Sequence, residues 1–286
     1  MKKIIISTFS LALILTMANS CKKPVAYEDL PEVSTDVDTT LRNAEEVNAQ
    51  FQQLFTAVHT EVSNVEDQAF KTGGSYPSNP NAVVTTEIDS TDKKNKFAKK
   101  VTIDFPFAYK DTKYKGHTFY GTIVVTKNGR MDKKGTIATI SVLDLLLDNK
   151  FIGGTLALEN LGFVNGVYKL KLDLTNNGIY SYVNNVQIHH TMDVSVDNKV
   201  YRVALSGTQS FSYVISGSVT TEITSPLIYT TDCNYIKQGA KKVTTSSWLS
   251  DQATTTDYGD GTCDDKSTVI VGPETYKWPI HLIEAI

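Results

Sequence analysis

Hydrophobic residues recur every three or four positions along a long stretch near the N-terminus. This spacing places them on one side of a helix with 3.6 residues per turn, and it predicts an amphipathic helix over residues 39–70, clearest over Thr39–Ala69. Asp38 or Thr39 can cap its start. We expect the stripe to pack on the rest of the protein, although a partner-binding face fits the same pattern. The stripe consists of Leu41, Ala44, Val47, Phe51, Leu54, Phe55, Val58, Val62 and Val65.

From residue 82 onward the hydrophobic period changes to two. The segment 167–174, VYKLKLDL, alternates apolar with charged residues, which is typical of a half-buried strand. Turn-forming pairs separate such runs, and no helical pattern lies between them, so neighbouring strands should pair antiparallel. The sequence therefore predicts a mainly β protein. We expect a curved antiparallel meander or sandwich-like sheet over residues 82–286, with the N-terminal amphipathic helix packed on it.

Two further features of this region concern its strands. Glycine opens several apolar runs, a position that suits bends and bulges in a strongly curved sheet. Residues 141–151, SVLDLLLDNKF, fit either a strand and turn or a short helix, and the flanking runs favour the strand. The glycines are Gly121, Gly135, Gly154, Gly207 and Gly217.

The first twenty residues have the layout of a secretory signal peptide. A basic start is followed by an uncharged apolar run, residues 4–17, and by small residues before Cys21. The run is shorter than the roughly twenty residues that a membrane-spanning helix needs, although a retained N-terminal helix is the alternative. The sequence MANSC resembles a bacterial lipobox, with Ala18 where leucine is usual. We therefore predict lipidation at Cys21, a flexible lipid-anchored tether over residues 21–38, and a membrane partner reached through the lipid.

Charge and cysteine content narrow the function classes. Residues 1–20 hold two lysines and no acids, so the mature chain has 26 basic and 31 acidic residues and a net charge of −5. This balance argues against nucleic acid as a partner. Cys233 and Cys263 then form an even pair in an exported protein, and a disulfide is the natural interpretation, with two free buried cysteines as the alternative.

The stretch DYGDGTCDD, residues 257–265, is the strongest candidate for metal chemistry. A calcium loop starting at Asp257 would need oxygen ligands at its third, fifth and twelfth positions, where this chain has Gly259, Gly261 and Thr268. We therefore predict no metal site, and we expect the Asp-Gly turn to form the tip of the penultimate hairpin. Weak calcium binding stays open for Asp257, Asp260, Asp264 and Asp265.

Other residue types give no catalytic signature. Adjacent His189 and His190 should point to opposite faces of a strand, and neither has a second metal ligand at short spacing. No nucleophile elbow, phosphate loop or zinc-protease helix occurs, so no catalytic residue and no cofactor is predicted. Tyrosine and tryptophan are expected mainly in the core, with an exposed glycan-binding platform as the alternative.

Several segments together resemble uncharacterised lipoproteins of the Bacteroidetes type, which share a C-terminal DYGDGTCD block. The matching segments are KKVTIDFP, YKGHTFYGTIVVTKNGRMDKKGTIATIS, ITSPLIYTTDC and DYGDGTCDDKSTVIVG. The resemblance implies a shared β fold, the Cys233–Cys263 pairing and an outer-membrane location, with the periplasmic or surface face undecided. It implies no activity.

These observations favour an envelope lipoprotein with a structural or binding role, whose expected partner besides the membrane is an envelope protein or a glycan. One alternative is a hydrolase acting on glycans or cell wall. The other is an accessory factor of envelope biogenesis, such as a lipid carrier.

Overall fold

Within the part of the chain that the structure describes, thirteen strands form one antiparallel sheet. The computed structural model describes residues 26–42, 44–45, 83–89, 91, 96–111, 117–148, 150–175, 183–197, 200–213, 217–246 and 251–280. The strands are β1 (Val83–Asp89), β2 (Phe97–Asp111), β3 (His117–Lys127), β4 (Ile137–Leu147), β5 (Lys150–Val164), β6 (Val167–Thr175), β7 (Val183–Asp197), β8 (Val200–Tyr213), β9 (Gly217–Thr230), β10 (Gln238–Ser246), β11 (Asp251–Asp260), β12 (Lys266–Val271) and β13 (Glu274–Pro279).

Every strand pairs with the next one along the chain, which makes the sheet a simple meander. The predicted mainly β, antiparallel fold class is confirmed. The ambiguous run 141–151 contributes residues 141–147 to β4 and residues 150–151 to β5, in agreement with the strand interpretation. Since consecutive strands alternate in direction, the odd-numbered strands all finish at the same end of the sheet. We call this the proximal end; its connections include residues 128–136, 165–166, 231–237 and 261–265.

One face of the sheet carries the hydrophobic core. Inward residues follow the two-residue period of each strand, as in Val101, Ile103 and Phe105 of β2, which are almost fully buried. Phe105 stacks on Phe119 of β3, with ring centroids 5.2 Å apart. The opposite face carries cross-strand ion pairs such as Lys169–Asp193. The alternation read from the sequence therefore separates an apolar face from a solvated one.

Bulges interrupt most of the strand pairs, and glycines occupy several of them. The register shifts at Gly121, Gly162, Gly207 and Gly239, and all four have positive φ. Such bulges bend a strand and increase its twist. Gly121, Gly154 and Gly207 open apolar runs but lie inside β3, β5 and β8, because these strands extend several residues beyond the apolar runs.

The N-terminal helix packs on the core face, as predicted. Residues 35–42 and 44–45 are helical, and Val37, Leu41 and Ala44 are buried in the core. The helix begins at residue 35, four residues before the predicted start. Its first helical hydrogen bond runs from the amide of Asp38 to the carbonyl of Ser34 (2.9 Å). The rest of the predicted helix, with Phe51 and Phe55, lies outside the described residues.

Candidate functional site

The stretch DYGDGTCDD forms the corner between β11 and β12. Residues 254–257 pair with 268–271, so this is the penultimate hairpin, as predicted. Three of its carboxylates accept a hydrogen bond from the amide two residues further on: Asp257 from Gly259, Asp260 from Thr262 and Asp264 from Lys266. Such side-chain to backbone bonds are typical of Asx turns.

The acidic residues of this corner therefore shape the turn. The backbone carbonyl of Asp265 accepts a hydrogen bond from the amide of Ile280 (2.7 Å), which connects the corner to the end of β13. Among the residues that the structure describes, no group of three or more histidine, cysteine or acidic side chains is placed to hold a metal ion.

Cys233 and Cys263 form a disulfide, with their Cα atoms 5.8 Å apart, which confirms the predicted pair. Cys233 lies in the connection between β9 and β10, and Cys263 in the connection between β11 and β12. The bond thus joins two adjacent loops at the proximal end of the sheet.

Removing this disulfide should lower stability measurably. It closes a loop over a sequence separation of 30 residues, and the lost chain entropy corresponds to about 3–4 kcal/mol. We expect the Cys233→Ala/Cys263→Ala variant to lose about this much free energy of unfolding in a urea titration. The wild type should fall to the same value under reductant, whereas the double variant should not respond.

The same titration separates the disulfide from a calcium effect. Calcium bound only by the folded state would stabilise it by about 2.7 kcal/mol at a concentration a hundred times the dissociation constant. We expect calcium added after chelation to change the free energy of unfolding by less than half of that. A larger gain would make residues 257–265 a metal site.

The N-terminal segment lies against the last strands of the sheet. Glu28 pairs with Lys266 at 2.8 Å, and the Lys266 ammonium lies 5.4 Å from the centre of the Tyr27 ring. The carbonyl of Pro31 accepts from the amide of Lys277 (2.8 Å), and Glu32 forms a parallel bridge to the same residue. Residues 27–32, which the sequence places in a flexible tether, are thus attached to the edge of the sheet.

A largely buried ion pair attaches the helix that follows residues 27–32 to strand β10. Glu45 Oε1 accepts from Lys241 Nζ (2.8 Å) and from the hydroxyl of Tyr258 (2.9 Å). The side chain of Lys241 is only 8% exposed and that of Glu45 25%. Burial, and then the neighbouring Glu45 carboxylate, raise the pKa of Tyr258 well above its usual value. The tyrosine therefore stays a neutral donor to Glu45.

Trp278 completes this contact between helix and sheet. Its ring is fully buried, its Nε1 donates to Asp38 Oδ1 (2.8 Å), and the Lys241 ammonium lies 6.0 Å from the ring centre. This tryptophan therefore belongs to the core, as expected for most aromatic residues. We call the contacts of residues 27–45 with β10–β13 the docking site of the N-terminal segment.

The adjacent histidines point to opposite faces of β7, as predicted. His189 is exposed and lies 2.9 Å from Asp173. His190 lies in the core opposite Gly207, and its burial, with a smaller contribution from His189, lowers its pKa to about 4. Neither arrangement resembles a metal site.

The buried His190 should make stability depend on pH. Above about pH 6.5 the imidazole is neutral in the folded and the unfolded chain; below it, only the unfolded chain takes up the proton until the folded pKa is reached. Between pH 6.5 and 4.5 we expect the free energy of unfolding to fall by about 2–3 kcal/mol from this group. His190→Gln should abolish this part of the pH dependence and His189→Gln should retain it. Identical pH profiles for His190→Gln and the wild type would contradict the assignment.

The predicted lipidation site, Cys21, lies outside the described residues. Within them, no helix is long and apolar enough to cross a membrane. Comparisons with family models, with curated proteins and with solved structures find no significant match.

Proposed function

We propose that this protein is a lipid-anchored lipoprotein of the outer membrane, with a structural or binding role in the cell envelope. The observation that supports the proposal most is the docking site of the N-terminal segment. The residues that follow Cys21 most closely in the described chain are attached to the sheet by a surface ion pair, backbone bonds and a buried ion pair. With this attachment, an anchor at Cys21 would hold the sheet close to the membrane, because Ala26, the first described residue, follows Cys21 by only five positions.

The sequence and the disulfide support the same proposal. The basic start, the apolar run and MANSC fit export and acylation. The disulfide between Cys233 and Cys263 is stable in an oxidising compartment, such as the periplasm or the cell surface. A sheet that holds the N-terminal segment at its docking site suits a scaffold or a receptor for an envelope protein or a glycan.

Metabolic labelling with an alkyne fatty acid tests the anchor. We expect the wild-type chain to carry the label and to fractionate with the outer membrane, and the Cys21→Ser variant to lose the label. The Cys263→Ala variant is the matched control, because it removes a cysteine but leaves the lipobox intact, so it should keep the label. Label retained by Cys21→Ser, or absent from the wild type, would refute lipidation at this residue.

A further inference from the structure

The exposed hydrophobic residues of the described chain are not spread evenly. Ten large hydrophobic residues are exposed in the described chain, and four of them lie at the proximal tips of two adjacent hairpins, β5–β6 and β7–β8. We call these four residues the apolar tip: Phe163 (71% exposed), Val164 (46%), Val196 (57%) and Tyr201 (53%).

The strand register places three residues of the apolar tip, Phe163, Val196 and Tyr201, on the same face of the sheet. Phe163 pairs with Tyr168, and Tyr168 pairs with Val194 of the next strand. Val196 follows two residues later on the same face and pairs with Tyr201. Val164 is on the opposite face beside the turn, so the β5–β6 hairpin is apolar on both faces. A contiguous exposed apolar patch is typical of a contact surface.

The apolar tip is held in place by the neighbouring loop. The side chains of Asn160 and Tyr168 both donate to the carbonyl of Met131, at 2.7 and 2.6 Å. In the same loop, Lys134 lies so close over Gly162 that a Cβ there would come within 3.0 Å of its side chain. The aliphatic part of the Lys134 side chain therefore covers Gly162, the residue before Phe163.

The apolar tip and the N-terminal segment share the proximal end of the sheet. Tyr27 and Glu28 contact Lys266, the first residue of β12. Near Lys266, the Cys263–Cys233 disulfide links the β11–β12 loop to the β9–β10 loop. In the β9–β10 loop, the amide of Thr231 donates to the carbonyl of Tyr201 (3.1 Å), a residue of the apolar tip. The hairpins of the tip lie several strands from β12, on the order of 20–35 Å along the sheet.

The length of chain between Cys21 and the described residues limits how far the body can stand from a lipid anchor. Ala26 follows Cys21 by five positions, and a fully extended chain of that length spans at most about 18 Å. An anchor at Cys21 therefore keeps the proximal end close to the bilayer surface. Exposed phenylalanine, valine and tyrosine suit the boundary between headgroups and acyl chains.

We propose that the apolar tip inserts into the bilayer interface, so that the protein contacts the membrane at two places: the lipid on Cys21 and the hairpin tips. The inference rests on the proposed lipid anchor. It determines the orientation of the sheet, with the proximal end on the membrane and the opposite end directed away from it.

Tryptophan fluorescence in vesicles tests this contact. The mature chain is coupled through the Cys21 thiol to a maleimide lipid in vesicles of phosphatidylethanolamine and phosphatidylglycerol, so the test does not depend on whether cells acylate Cys21. Phe163→Trp adds an indole at the tip. Leu143→Trp is the matched control, because Leu143 is also exposed (54%) but lies on the outer face of β4, away from the proximal end. The unsubstituted chain gives the background of the native tryptophans.

We expect brominated lipids to quench most of the emission added by Phe163→Trp and to leave that of Leu143→Trp unchanged. Equal quenching of both, or quenching of neither, would overturn the tip contact while leaving the anchor proposal intact. Sedimentation of the uncoupled chain provides a second readout. A dimer that Phe163→Ser dissociates and Leu143→Ser does not would assign the tip to a second copy and also overturn the proposal.

Discussion

Replacing Glu45 with alanine should destabilise the protein strongly, because the substitution breaks a largely buried ion pair. The substitution leaves the Lys241 ammonium, only 8% exposed, without its carboxylate, and it removes the acceptor of the Tyr258 hydroxyl. Breaking a buried pair by removing one partner costs about 3–5 kcal/mol. We expect a loss of this size in the free energy of unfolding, measured by urea titration.

The exposed pair at the start of the same segment provides the matched control. Glu28 and Lys266 lie at the same 2.8 Å, but both side chains are largely exposed. Glu28→Ala should therefore leave the titration unchanged within error. Replacing both buried partners, as in Glu45→Leu/Lys241→Met, should recover most of the lost stability, because no unpaired charge then remains. Equal losses for Glu45→Ala and Glu28→Ala would show that burial does not govern the Glu45 contact.

The second large effect is expected at Gly207. Its φ is +129°, and a Cβ at this position would come within 2.0 Å of the carbonyl oxygen of His189 on the neighbouring strand. The disfavoured backbone conformation costs about 1–3 kcal/mol. Relief of the overlap costs about another 1–3 kcal/mol. Gly207→Ala should therefore lower the free energy of unfolding by the sum of the two.

Gly166→Ala separates the two contributions. Gly166 also has positive φ, +81°, but nothing lies within 4 Å of the place that a Cβ would take. This variant should show only the conformational cost, about 1–2 kcal/mol. If Gly207→Ala were no worse than Gly166→Ala, the close approach of β7 and β8 at the bulge would be disproved.

Local chemistry accounts for what could be predicted from the sequence. Alternation such as that in residues 167–174 follows from the two-residue period of a strand, and it identified both faces of β6. The Asp260-Gly261 turn and the cysteine pair likewise depend on residues whose roles follow from their type and compartment. Each of these features can be recognised without knowing what lies across the sheet.

The docking site could not be predicted, because its partners are far apart in the chain. Glu45 and Lys241 are 196 residues apart, and Asp38 and Trp278 are 240 apart. One local signal was present: Lys241 occupies an inward position of β10, in phase with buried Val243. A charge at such a position requires a buried partner, but its type alone does not tell which acid that is.

The apolar tip could not be predicted from the sequence either. Phe163 continues an alternating pattern that predicts burial as readily as exposure. Only the register with Tyr168, and the start of β6 one residue before that tyrosine, leave the ring uncovered.

The contact between Glu32 and Lys277 has a consequence for how the protein folds. Glu32 precedes all the described strands, and its bridge partner Lys277 lies in β13, which follows all the others along the chain. Each hairpin of the meander can form locally, but the N-terminal segment must wait for a contact that spans nearly the whole chain. Contacts at such separation form late and slowly. We therefore expect the meander to assemble before residues 27–32 attach to its edge, so that attachment of the N-terminal segment is the closing step of folding.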